Sequence, residues 1–176
     1  MSNKKDGAMN EHVAYISIGS NMGDPLQNCC SGIQLLCDEG AVELMDRSPF
    51  YRTEPVDYLE QAWFLNAALC IRTTLAPHDL LTQTQAVEKA VGRKSGGVRF
   101  GPRILDLDII LYDDLILASD RLVIPHPRMD KRRFVLQPIC DIDPSVRHPG
   151  LGQTVQELLN QLVVDDQGMM SCSFDC

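Results

Sequence analysis

The spacing of apolar residues predicts a regular alternation of strands and helices. Short apolar runs bounded by Gly, Pro or Asn are typical of strands, whereas apolar residues three and four positions apart are typical of helices. The predicted strands are residues 13–18, 42–53 (with a break near Ser48 and Pro49), 64–73 and 105–112, with a short addition at 121–124. The predicted helices are residues 26–37, 77–91, 131–136 and 155–162.

The order of these elements indicates the fold class. The order strand–helix–strand occurs twice in succession, which is the split βαβ arrangement of ferredoxin-like α+β folds. It predicts an antiparallel sheet with helices on one face and a second face open to a ligand. We expect a single domain over residues 13–162, with flexible tails at 1–12 and 163–176.

Composition and charge narrow the functional class. The 176 residues carry a formal net charge of -8, which disfavours binding to nucleic acid or to an anionic membrane. No apolar run reaches the length of a membrane span, and residues 1–12 do not resemble a signal peptide. The cysteine count is odd, at 7, and no CxxC pair occurs, so we expect reduced thiols and a cytoplasmic location. We also expect a monomer.

Asp106 and Asp108 are the strongest chemical signal. Side chains two residues apart on a strand point to the same face, so the two carboxylates lie side by side while Leu105, Leu107 and Ile109 face the core. Paired carboxylates repel each other, and a divalent cation such as Mg²⁺ relieves that repulsion. The alternative is the solvated face of an edge strand, but the apolar continuation of the strand favours a central position.

A basic segment precedes the acid pair and adds the chemistry of phosphate binding. Arg93, Lys94, Arg99 and Arg103 lie within residues 92–103, with no acid among them. Guanidinium groups bind phosphate through paired hydrogen bonds. The segment and the strand after it therefore predict a site for a phosphate and a metal. The alternative is a solvated connector, which we would prefer if the acid pair were absent.

From about residue 13 to residue 162 the chain resembles the 6-hydroxymethyl-7,8-dihydropterin pyrophosphokinase family of folate biosynthesis. The matching pieces stand in the family's order and at its spacing: YISIGSN at 15–21, SPFYRT at 48–53, FLNAA at 64–68, GPRILDLDI at 101–109 and PHPRM at 125–129. The resemblance implies transfer of pyrophosphate from ATP to the hydroxymethyl group of the pterin, with release of AMP. The implied partners are therefore these two small molecules.

The resemblance also implies roles for individual residues. Asp106 and Asp108 would hold two Mg²⁺ ions that bridge the ATP phosphates. Arg93 and Arg103 would stabilise the transferring group. The positions that match ATP contacts are Gln85, Glu88, Arg99, Ile109, Arg121, His126 and Arg132. Taken singly, the arginines could be surface charges and His126 an ordinary turn residue.

The positions that match the pterin site combine aromatic faces with polar partners for a flat, polar bicycle. They are Gly19, Thr53, Glu54, Val56, Phe64, Asn66, Phe100 and Phe134. Phe64 and Phe134 alone could be core residues. Asn66 is harder to explain in that way, because a buried amide within an apolar strand needs hydrogen-bonding partners.

Three other functions remain as alternatives. Another Mg²⁺-dependent nucleotide transferase would also use an Asp pair on a strand, but it would not need a pterin pocket. A noncatalytic RNA-binding module is disfavoured by the net charge of -8. A catalytically inactive relative is disfavoured by the intact set of Asp106, Asp108, Arg93, Arg103 and His126.

Overall fold

The strands and helices follow the predicted order. The computed structural model describes residues 10–38, 40–56, 58–93, 101–162, 167–174 and 176. Within these ranges the strands are β1 (His12–Ser20), β2 (Val42–Arg47), β3 (Phe50–Thr53), β4 (Phe64–Thr73), β5 (Asp106–Tyr112), β6 (Leu117–Ala118), β7 (Val123–Ile124) and β8 (Met169–Cys172). The helices are α1 (Pro25–Cys37), α2 (Pro77–Val91), α3 (Arg133–Ile142) and α4 (Val155–Gln161).

The main sheet is antiparallel and has the order β5–β1–β4–β3–β8, while β2 also pairs with β4. This order confirms the predicted split βαβ fold, with β1 and β4 at the centre. β1 sets the alignment of its neighbours, since Gly19 lies opposite Asn66 on β4 and opposite Asp106 on β5. The short strands β6 and β7 form a separate hairpin.

The two faces of the sheet are covered differently. Helices α1 and α2 pack on one face against Ala14, Ile16 and Ile18 of β1, all fully buried. Helices α3 and α4 follow the split βαβ unit and form a second cluster on the opposite face, which includes Ala68 and Ile110. Among the described residues, that face is open at the end of the strands where Gly19, Asn66 and Asp106 lie.

Local sequence explains where α1 and α2 begin and end. The carboxylate of Asp24 accepts a hydrogen bond from the amide of Gln27 at 3.1 Å and caps α1, and Pro25 occupies its first turn. Helix α2 begins at Pro77 and ends at Gly92, whose φ of 120° favours glycine. None of the helices in the described ranges is long and apolar enough to cross a bilayer.

Helix α3 is longer than predicted. We expected a helix over residues 131–136, but a 3₁₀ turn covers Met129–Lys131 and α3 continues through Pro138 to Ile142. Proline removes a backbone donor and normally ends a helix. Here Pro138, Ile139 and their neighbours are buried against β4 and α4, so tertiary packing outweighs the lost hydrogen bond.

The described part of the C-terminal segment is not a loose tail, contrary to the prediction for residues 163–176. Residues 169–172 form β8 on the edge strand β3, with Met169 opposite Thr53. The expectation of reduced thiols is also wrong for two cysteines, because Cys30 on α1 and Cys176 form a disulfide across 146 residues of sequence. Cys29, Cys37, Cys70, Cys140 and Cys172 are free. Neither feature has a local sequence signature, since both depend on residues that are distant in the chain.

We expect the Cys30–Cys176 disulfide to stabilise the folded state by about 2–4 kcal/mol, because it closes a long loop of the unfolded chain. Cys176→Ser should therefore lower the Tm of the oxidised protein, as measured by thermal unfolding. A dithiol reductant should lower the Tm of the wild type and leave that of Cys176→Ser unchanged. Cys172→Ser is the matched control and should keep its response to reductant. Equal responses in all three proteins would contradict the prediction.

Candidate active site

A pocket opens on the exposed part of the sheet, at the end of β1 that leads to α1. Strands β1, β3, β4 and β5, the first turn of α3 and the loop after β3 supply its walls. The lining residues are Ser17, Gly19, Thr53, Glu54, Pro55, Val56, Gln61, Phe64, Asn66, Gly101, Arg103, Asp106, Asp108, Arg132 and Phe134. We call this cavity the central pocket. One side of the pocket carries aromatic rings and an amide, and the other side carries carboxylates and arginines.

The ladder of β1 explains why the two sides meet. Directly opposite residues in a sheet share a face, so Asn66, Gly19 and Asp106 lie in one row across three strands. In the next row on the same face, Ser17 lies opposite Asp108. The predicted pairing of the two aspartates on one face is confirmed, because both line the pocket while Leu107 between them is buried in the core.

Two arginines converge on Asp106. Arg103 makes an ion pair with its Oδ1 atom, and Arg93 donates to the same oxygen at 3.1 Å. Arg93 is also paired with Glu88, a residue on α2 that is only 5% exposed. Glu88 accepts a hydrogen bond from the amide of Leu107 at 2.8 Å, so one buried carboxylate ties α2, β5 and the arginine together.

A negative charge on Asp108 is energetically unfavourable in this site. Burial raises its pKa from 3.8 to about 7, and the neighbouring carboxylate of Asp106 adds to the shift, while Arg132 and Arg103 oppose it. A second negative charge is therefore costly here without a cation. Among the described residues no cluster of three or more His, Cys, Asp or Glu forms a closed metal cage. Two carboxylates beside a pocket suit Mg²⁺, which keeps water and substrate phosphate in its shell.

The amide side of the pocket is preorganised. Asn66 is 5% exposed and donates from Nδ2 to the hydroxyl of Thr53 at 2.7 Å. Its Oδ1 atom lies over the α-carbon of Gly19, where a Cβ atom would clash with it. Phe64 and Phe134 also line the pocket, and the guanidinium of Arg132 lies 5.3 Å from the centre of the Phe134 ring.

The structure brings most of the predicted pterin-site residues together. Those that line the central pocket are Gly19, Thr53, Glu54, Val56, Phe64, Asn66 and Phe134. Phe100 lies outside the described residues. The amide of Glu54 already donates to the carbonyl of Gly168 at 2.9 Å, so this backbone donor is not free for a ligand.

The predicted ATP-site residues are more dispersed. Arg132 lines the pocket, and Glu88 reaches the site only through Arg93 and the amide of Leu107. The side chain of Ile109 is buried in the core. Gln85 and Arg121 are exposed and are not among the residues that line the pocket. Arg99 lies outside the described residues.

His126 is held as a neutral donor on the turn after β7. Burial, together with the charges of Arg132 and Arg128, lowers its pKa to about 4. The amide of Arg128 donates to Nδ1 at 3.2 Å, which leaves Nε2 as the protonated ring nitrogen. The charge of Asp106 also acts on this ring, so His126 belongs to the electrostatic surroundings of the carboxylate side.

Sequence reasoning missed the connecting role of Asn21. This residue is 7% exposed and lies directly after β1. Its Nδ2 atom donates to Gln61 Oε1 and to the carbonyl of Ala62, both at 3.0 Å, and its Oδ1 atom accepts from the amide of Arg103 at 2.7 Å. Asn21 thus ties the loop before β4 to the arginine at the acid pair. The matched piece YISIGSN contained it, but Gln61 has no local signal.

Comparisons with known proteins agree with this geometry. The sequence profile of 7,8-dihydro-6-hydroxymethylpterin-pyrophosphokinase (HPPK) matches residues 15–144. The chain is 44% identical over 131 residues to 2-amino-4-hydroxy-6-hydroxymethyldihydropteridine pyrophosphokinase of Bacillus subtilis, covering 74% of this chain and 78% of that protein. The chain belongs to the HPPK family. The resemblance inferred from the sequence is confirmed, and with it the pyrophosphokinase class of enzyme.

Longer relatives contain this unit as one part. The folic acid synthesis protein fol1 of Schizosaccharomyces pombe is 38% identical over 164 residues, which cover 93% of this chain but only 22% of that protein. A crystal structure of wild-type Plasmodium falciparum HPPK-DHPS with pterin and p-hydroxybenzoate has a TM-score of 0.66 at 15% identity. It covers 86% of this chain and 42% of the other. At that identity the match supports the fold alone.

We expect Gly19→Ala to act through Asn66, because the added methyl group would displace the amide oxygen from its place over the strand. The variant should bind the pterin substrate about tenfold or more weakly, as measured by fluorescence titration. The same change in an Asn66→Ala background should add little, since the displaced group is then absent. Fully additive losses would contradict this explanation.

We expect Asp108→Asn to stabilise the metal-free protein at high pH. The folded state holds a proton on Asp108 up to a pKa of about 7, whereas the unfolded chain loses it near 3.8. The free energy of unfolding of the wild type therefore falls as pH rises through this window. In EDTA at pH 8, the variant should melt several degrees above the wild type, and the gap should shrink at pH 5. A gap that does not change with pH would contradict the prediction.

Proposed function

We propose that this chain transfers the pyrophosphoryl group of ATP to the hydroxymethyl group of 6-hydroxymethyl-7,8-dihydropterin. The observation that carries the proposal is the single row of Asn66, Gly19 and Asp106 across β4, β1 and β5. In this row the amide of Asn66, which would recognise a heterocycle, lies near the carboxylate of Asp106, which would hold a metal ion beside the phosphates. The oxygen of the hydroxymethyl group attacks the β-phosphorus and loses its proton to water. The bond between the β-phosphorus and the oxygen that bridges it to the α-phosphate breaks, and AMP leaves with that oxygen.

The amide side suits the pterin acceptor. A pterin presents an edge of alternating donors and acceptors and two flat faces. Asn66 offers both an acceptor and a donor. Its hydrogen bond to Thr53 fixes the orientation of the amide, with Nδ2 toward Thr53. Phe64 and Phe134 supply aromatic surface at the same cavity. The same set of residues disfavours the alternative of a Mg²⁺-dependent nucleotide transferase without a pterin acceptor.

The carboxylate side suits two Mg²⁺ ions held by Asp106 and Asp108. The raised pKa of Asp108 supports this assignment, because it reflects a local excess of negative charge that a cation would balance. When bound, the metal supplies positive charge at the phosphate oxygens of ATP. Arg103 and Arg93 then have a second role, since phosphate oxygens can replace Asp106 as the partners of their guanidinium groups.

The remaining site assignments stay predictions. Gln85, Glu88, Arg99, Ile109, Arg121, His126 and Arg132 are proposed for the ATP side, and Phe100 for the pterin side. We also propose a monomer in the cytoplasm. The Cys30–Cys176 disulfide bears on that location, because disulfides are rare in a reducing cytoplasm, so the redox state of the pair in the cell tests it. Alkylation of thiols at lysis, followed by nonreducing electrophoresis, would measure this.

The first test is release of AMP from Mg-ATP with and without 6-hydroxymethyl-7,8-dihydropterin. We expect AMP only when the pterin is present, and we expect Asp108→Ala to abolish turnover because the metal side loses a carboxylate. Asp114→Ala is the matched control, since Asp114 is exposed and lies just beyond the end of β5. ADP as the product would indicate transfer of the γ-phosphoryl group and overturn the proposal.

Arg103→Ala should lower kcat by about 100-fold while changing the affinity for ATP much less, because its charge is needed most in the transition state. Single-turnover kinetics and ATP titration of the same variant would separate the two effects. A loss confined to ATP affinity would show that Arg103 serves binding alone.

A further inference from the structure

Residues 167–172, which we call the C-terminal strap, contact two walls of the central pocket. Gln167 touches the start of α3, and Gly168 touches Glu54 after β3. We propose that Gln167 is a positioning residue for the acceptor side of the site. It holds the turn that carries Phe134 of the pterin side, with Arg132 beside it. This inference rests on the proposed function and deepens it.

The side chain of Gln167 supplies the helix cap that α3 lacks locally. Arg132 is the N-cap residue of α3 and makes no capping hydrogen bond with its side chain. The amide of Arg133, at the first position of the helix, instead donates to Gln167 Oε1 at 2.8 Å. Such amides have no partner within the helix and need one from elsewhere. Here the partner comes from a residue 34 positions away in sequence.

The other end of the same side chain fixes the preceding turn. Gln167 Nε2 donates to the carbonyl of Lys131 at 3.0 Å, so the amide spans Arg132 on both sides. Arg132 and Phe134 flank the bonded Arg133, and both line the central pocket. A hydrogen bond to the backbone here therefore sets the position of a guanidinium and an aromatic ring. Gln167 itself is not among the residues that line the pocket.

Gly168 makes the matching contact on the opposite wall. Its carbonyl accepts from the amide of Glu54 at 2.9 Å, and its own amide lies 3.3 Å from Glu54 Oε2. A Cβ atom at this position would meet the Glu54 carboxyl carbon at 2.6 Å, so a larger residue here would displace the Glu54 side chain. The pairing of β8 with β3 continues this contact, with Met169 opposite Thr53.

These contacts give a specific expectation for Gln167→Ala. Without the cap, the first turn of α3 opens more often, and the pocket spends less time with Arg132 and Phe134 in place. Such a change weakens binding in the ground state and the transition state alike. We expect the KM for the pterin to rise about fivefold or more, the scale of a lost helix cap, with kcat within about threefold of the wild type.

The experiment combines kinetics with amide hydrogen exchange in the full-length protein. Exchange at the amide of Arg133 reports directly on the hydrogen bond to Gln167, and it should become faster in Gln167→Ala. Gln167→Glu keeps an acceptor for Arg133 but loses the donor to Lys131, so it should restore part of both effects. Ser171→Ala on the exposed side of β8 is the matched control and should change neither readout.

Faster exchange at Arg133 together with a raised KM for the pterin, partly restored in Gln167→Glu, would support the proposal. Unchanged exchange, an unchanged KM, or equal losses in Ser171→Ala would overturn it. So would a collapse of kcat at constant KM, because a positioning role in binding does not produce it. Failure of the proposed function is distinguishable, since the wild type itself would then release no pterin-dependent AMP.

Discussion

The antiparallel pairing of β1 with both of its neighbours is the constraint on which the site depends. It places Gly19 between Asn66 and Asp106, so groups from strands far apart in sequence share one face. A slip of one residue in either ladder would turn these side chains into the core. The absence of a side chain at Gly19 leaves the space that the Asn66 amide occupies. Register and glycine together therefore create the junction between the amide side and the carboxylate side of the central pocket.

The site carries a local electrostatic cost that the rest of the fold offsets. Burial and the neighbouring carboxylate of Asp106 raise the pKa of Asp108, and the positive charges of Arg132 and Arg103 offset only part of that shift. On the opposite face of β5, Leu107 and other buried apolar residues pack into the core. A rigid core beneath β5 can hold the two carboxylates side by side despite their mutual repulsion.

Support for the pocket also comes from the end of the chain. The strap adds an edge strand to β3 and contacts both Glu54 and the start of α3. Beyond the strap, Cys176 forms a disulfide with Cys30 on α1. The central pocket is thus enclosed by the split βαβ unit on one side and by later elements on the other. The HPPK family profile ends at residue 144, so the strap lies beyond the part of the chain that the profile matches.

The sequence by itself determined the order of the elements, the shared face of Asp106 and Asp108, and the family, because each depends on periodicity or on short motifs. It also identified most of the residues that line the pocket. Only the tertiary structure decided the links from Asn21 to Gln61, from Glu88 to Arg93 and Leu107, and from Gln167 to α3. It likewise decided β8, the Cys30–Cys176 disulfide and the passage of α3 through Pro138. These features join residues that are distant in the chain or override a local preference, and packing alone selects such contacts among many that the local pattern allows.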